Sequence, residues 1–143
     1  MLALVALTTW VLNIVVGAVL VARWIGRRHP PGDRAGLPPL VLGHLAAAGL
    51  GLLLWIVFLA TGRPAPAWAG FVLLTVTTTL GDMLLTGGWR RRNRGSATGS
   101  GGRDYRHAVV EILTARRPLA TLHALLAGTT YFTVLAAAIG ASS

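Results

Sequence analysis

Two stretches of the chain carry the residue type best suited to gripping a metal. Residues 39–49 read PLVLGHLAAAG, and residues 118–128 read PLATLHALLAG. Each sets a histidine five residues after a proline and a glycine five residues after the histidine. The two histidines, His44 and His123, are 79 residues apart. Neutral imidazole is the commonest metal ligand among side chains. Two imidazoles can hold one ion from opposite sides if the fold brings both segments to one place. Cysteine is absent, which excludes disulfides, thiolate catalysis and Cys-based metal or iron–sulfur sites. His29 and His107 stand in polar segments and are set aside.

The elements that must position these histidines are apolar. Of 143 residues, 54% are hydrophobic and 12% charged, where a soluble domain carries roughly 25% charge. Mean hydropathy is +0.65. The apolar residues collect into four runs, about 2–24, 39–61, 67–87 and 119–141. Each approaches or exceeds the ~20 residues that a helix needs to cross the hydrocarbon of a bilayer. Helices are expected, because every backbone group must be paired within lipid. The fold class expected is all-α: a polytopic membrane protein, a single domain over 1–143, built as an up-down bundle of four transmembrane helices.

All 13 basic residues are arginine, giving a formal net charge of +9. Their placement points to topology rather than to nucleic acid. Arg23, Arg27, Arg28 and Arg34 flank or fill the first connection. Arg90, Arg91, Arg92, Arg94, Arg103, Arg106, Arg116 and Arg117 flank or fill the third. The second connection holds only Arg63. The positive-inside rule then sets connections 1 and 3 in the cytoplasm and both termini outside. Span 1 has its arginines after the apolar run, the reverse of a signal peptide, so a retained helix is expected. Trp24 and Trp89 suit the inner headgroup level, and Trp68 the outer. Pro64 and Pro66 make the second connection tight. The segment 90–104 is polar and Gly/Ser-rich, and is expected to be a flexible cytoplasmic loop. Tyr105, Val109, Ile112 and Leu113 recur at helical spacing, so 105–117 is expected to be an interfacial helix or an extension of span 4 broken at Pro118.

Spans 2 and 4 run in the same direction in this arrangement. His44 and His123 each lie roughly 6–8 Å beyond their helix starts, at 1.5 Å per residue. They therefore share one depth, on helices that are diagonal in an up-down bundle. Facing helices of a bundle are where cofactor ligands are built. A diagonal gap suits a flat macrocycle, and haem iron accepts imidazole as an axial ligand. One turn beyond each histidine, Ala48 and Ala127 would leave room beside it. Arg34, Arg116 and Arg117 would neutralise haem propionates at the cytoplasmic surface, or serve only as positive-inside charge. Asp82 in span 3, below Thr75, Thr78 and Thr79, would orient a ligand histidine or pair with Arg90. Asn13 would hydrogen-bond across helices, or simply specify packing. Gly49 and Gly128 are expected at close helix contacts, since membrane helices pack through small residues. For zinc, Asp82 is the only obvious third ligand where four are normal.

Through spans 2 and 4, and mainly His44 and His123, the layout resembles small bacterial four-helix membrane b-type cytochromes. The resemblance implies haem b, one per chain, since only two histidines lie in spans. The function expected is a single-haem membrane electron-transfer protein or a subunit of a redox complex. Its expected partners are the lipid bilayer, a membrane or cytoplasmic redox protein, and quinone. The Arg-, Ala- and Gly-rich composition looks like that of a high-GC bacterium, with the inner membrane as location. Two other readings stand: a non-catalytic scaffold or accessory subunit, and a small proton-relay or transport protein using Asp82, His44 and His123. Against transport, no inverted repeat or broken span appears. No P-loop, nucleophile elbow or HExxH motif supports a soluble enzyme.

Overall fold

The computed structural model describes residues 1–28, 38–93 and 118–142. Among them all regular structure is helical: α1 is Leu2–Arg28, α2 is Pro39–Thr61, α3 is Pro64–Asn93 and α4 is Pro118–Gly140. Each contains a segment long and apolar enough to cross a membrane, with mean hydropathies of 2.3, 2.2, 1.3 and 1.6 in chain order. These are the features of a multi-pass membrane protein. Leu53, Val72, Leu125 and Phe132 are each more than half exposed. Such an apolar exterior suits lipid rather than water.

The helix ends follow from a few residues. Three helices open on proline, at Pro39, Pro64 and Pro118. A first-turn proline loses no hydrogen bond, because the N–H it lacks would have had no partner. For the same reason Pro66 is accommodated inside the first turn of α3, and that helix starts three residues earlier than its apolar run. The link from α2 to α3 is thus only Gly62 and Arg63. Gly62 takes the left-handed conformation, φ 66°, and its N–H donates to the Phe58 carbonyl at 2.8 Å. That is a glycine C-cap, in which a Cβ would be strained. α3 continues past its apolar segment to Asn93, so residues 90–93 are helical. The rest of the expected loop, and the expected interfacial helix at 105–117, lie outside the described residues.

Contacts among the helices run around a ring. α2 packs most extensively on α3, and α1 on α4; α3–α4 and α1–α2 contacts close the ring. The diagonals are α1 with α3 and α2 with α4. Neighbours are antiparallel: Trp55, late in α2, donates from Nε1 to the carbonyl of Ala3, early in α1, at 3.2 Å. Trp68, early in α3, donates to Ser142 Oγ beyond α4 at 2.9 Å.

One end of the bundle holds the close-packed core. Ala6, Trp10, Trp55, Phe58, Ala67, Leu74, Val134 and Ala138 are buried there. The α2–α3 crossing is tight because two glycines meet. A Cβ on Gly70 would lie 3.3 Å from the Gly51 carbonyl oxygen, and one on Gly51 would lie 2.9 Å from Trp10 Cζ2. Gly49 and Gly128, expected at close contacts, face open space instead, with nothing within 4 Å of a Cβ built on either. They lie farther round their helices than the packed faces.

Candidate functional site

The opposite end of the bundle holds the histidines. His44 of α2 and His123 of α4 meet across the diagonal with ring centroids 6.5 Å apart and planes at 61°. Both side chains are half-buried. The matched sequence segments therefore do bring their imidazoles together.

His44 has a defined tautomer. Its Nδ1 lies 2.9 Å from the Thr77 carbonyl oxygen of α3. A carbonyl only accepts, so Nδ1 carries a proton and donates it; in the neutral ring Nε2 then keeps the lone pair. A backbone carbonyl on the far nitrogen is a common way to orient a ligand imidazole. His123 packs on α1, where the backbone of Asn13 interacts with its ring. Its Nδ1 is buried and has no partner, and the same is true of Asn13 Oδ1. An unpaired polar atom buried among apolar helices costs free energy, so this end of the bundle is built with unused bonding capacity.

Ala48 and Ala127, each one turn beyond a histidine, are half-buried beside it. Asp82 is exposed, and the orienting role at His44 Nδ1 falls to the Thr77 carbonyl instead. Thr75, Thr78 and Thr79 donate to the carbonyls of Phe71, Leu74 and Thr75 of their own helix. Their hydroxyl protons are thus used within α3. Arg34, Arg116 and Arg117 lie outside the described residues.

Sequence reasoning passed over three residues at this site. Gly17 faces the His123 ring, Gly81 faces the His44 ring, and Thr77 lends a backbone atom. A backbone acceptor leaves no mark in a residue's type. The two glycines leave one only after pairing: Gly17 and Gly81 are 64 residues apart, each at the histidine-bearing end of its helix.

Among the described residues no group of three or more His, Cys, Asp or Glu side chains comes together. A four-ligand zinc site with Asp82 as third donor is therefore not formed by them. The donor set is two imidazoles. It fits a metal that brings its own equatorial donors, as the iron of a haem does. The centroid separation of 6.5 Å is of the size such a pair would show. With metal–nitrogen bonds of ~2.0 Å, imidazoles on opposite sides of one ion have centroids roughly 6 Å apart. The chain matches no protein-family model, no curated protein and no solved structure.

Proposed function

We propose that this chain is a single-haem b-type electron-transfer protein of a bacterial inner membrane, or a subunit of a redox complex there. His44 and His123 would hold the iron. A haem so bound supplies one-electron exchange. The observation that carries the reading is the pair itself: two imidazoles from diagonal helices, 6.5 Å apart, with the His44 proton held away at Thr77. The His44 tether fixes one ring through Nδ1, so that Nε2 is the nitrogen that would bind iron in the neutral imidazole. The apolar helices around the pair limit water.

The arginine distribution supports a topology with both termini outside and the histidine end near the cytoplasmic face. A soluble or membrane-bound reductant would then approach from the cytoplasm, and quinone suits an apolar acceptor within the bilayer. Arg34, Arg116 and Arg117 are the residues proposed to meet propionates at that face.

The test is optical. Protein purified in mild detergent from haem-supplemented cells should show a sharp reduced α band and about one haem per chain, as the two-ligand donor set requires. His44→Ala and His123→Ala should each abolish it. Wild-type protein that is monodisperse, helical and colourless would remove the haem reading. The pair would then be a structural contact of an accessory membrane subunit, a role that the His44–Thr77 interhelix bond also supports.

A further inference from the structure

Side chains on an α-helix lean toward its N-terminus and cover the turn before their own Cα. The residue at i+4 therefore roofs the carbonyl at i. A glycine at i+4 leaves that carbonyl open to a group from another helix.

His44 uses such an opening, and His123 occupies the matching place beside Gly17. Gly81 stands four residues after Thr77, and the His44 ring fills the space a side chain would take. A Cβ on Gly81 would lie 3.1 Å from His44 Cε1 and 3.5 Å from its Nδ1, the atom that donates to the Thr77 carbonyl. Gly17 stands four residues after Asn13, and His123 fills the matching space. A Cβ there would lie 3.0 Å from His123 Cε1, and the Asn13 backbone interacts with the same ring.

The correspondence extends along the bundle. A shift of 64 residues carries Gly17 onto Gly81, and a shift of 79 carries His44 onto His123. The same shifts carry Trp10 onto Leu74, Gly51 onto Thr130 and Trp55 onto Val134, and all six are buried. The hairpins α1–α2 and α3–α4 are thus two versions of one pattern, related by an approximate two-fold axis that runs along the bundle between the histidines.

We infer that Gly17 and Gly81 are paired positioning residues for His123 and His44, each opening a backbone carbonyl one turn earlier on which an imidazole is seated. This deepens the proposed function and rests on it only for what the rings hold; the seating itself needs no haem. It also accounts for the direction of the rings. Each histidine is steadied by its own close-packed partner helix, α3 for His44 and α1 for His123, and faces the other across the looser diagonal.

The test is a pair of double-mutant cycles on haem-free, full-length protein in detergent. Gly17→Ala should lower Tm by a few °C with His123 present, and should not lower it in the His123→Ala background. Gly81→Ala should behave the same way with His44 and His44→Ala. The crossed combinations should be additive. Imidazole 15N signals give the second readout: Gly17→Ala should move those of His123 alone, and Gly81→Ala those of His44 alone. Gly49→Ala and Gly128→Ala, which face open space, should move neither. If a single variant fails to fold, recovery of folding when its histidine is also removed supports the seat, and continued failure overturns it. A glycine variant equally destabilising with and without its histidine, or silent in both Tm and spectrum, overturns it too. A colourless wild-type protein would end the haem reading and leave these cycles fully readable.

Discussion

The two ends of this bundle are filled by opposite means. Around the α2–α3 turn, space between helices is taken up by aromatic mass: Trp10 and Trp55 have ring centroids 6.3 Å apart, Trp55 and Phe58 4.9 Å, Phe71 and Tyr131 5.0 Å. Trp55 is fully buried, and its one polar atom reaches the Ala3 carbonyl. At the other end the corresponding space holds two imidazoles, two glycines and unpaired polar atoms at Asn13 and His123. The same helices make both ends, so helix propensity does not separate them. The difference lies in what fills the space between the helices. The aromatic end is filled by large rings, although Thr130 Oγ1 of α4 is also buried without a partner; the histidine end leaves two such atoms, Asn13 Oδ1 and His123 Nδ1.

That contrast can be tested by substitution, and the effects should fall in a set order. Trp55→Ala should cost about 3–5 kcal/mol, as deletion of a large buried ring does. Reversible unfolding in detergent measures it, and a loss no greater than that of a histidine variant would erase the distinction between the ends. Gly51→Ala comes next. Its Cβ would meet Trp10 at 2.9 Å and Leu73 Cβ at 3.3 Å, and overpacking of this kind costs about 1–3 kcal/mol. Repair of that loss by Trp10→Leu would identify the indole as the obstacle.

At the histidine end the expected effects on stability are smaller. His44→Ala should cost about 0.5–1.5 kcal/mol, the range of one net hydrogen bond, while removing the site altogether. Stability and site function would thus separate at this end and not at the other. Asn13→Leu should be the mildest change. Its Oδ1 has no partner, so an apolar replacement of similar shape should leave stability unchanged or raise it by up to about 1 kcal/mol. A clear loss instead would mean that the Asn13 amide supports the ring of His123.

Much of the scaffold was legible because lipid imposes long apolar runs. The run at 39–61 matches α2 residue for residue, and that at 119–141 lies one residue from α4. The ends of α1 and α3 were less legible. Arginine ends an apolar run without ending a helix, so α1 continues to Arg28 and α3 to Asn93. Prolines were read as part of the connection, although Pro64 and Pro66 sit where a helix admits them. At the site, the repeated His segments did locate two rings that meet. The glycines of that repeat, Gly49 and Gly128, proved the wrong ones to follow. Those that matter, Gly17 and Gly81, belong to other helices at a different spacing, and their role depends on a carbonyl whose availability only the packed helices reveal.

The order in which the chain is made adds one consequence. α2 and α3 are consecutive and joined by two residues, so His44 can reach Thr77 within a hairpin that is complete early. The seat for His123 is on α1, made first, but its occupant arrives on α4, made last of the four. The chain order thus allows a stage of synthesis in which His44 has its Thr77 contact and the place beside Gly17 still waits for His123. Docking of the fourth helix fills that place and completes the pair in a single event.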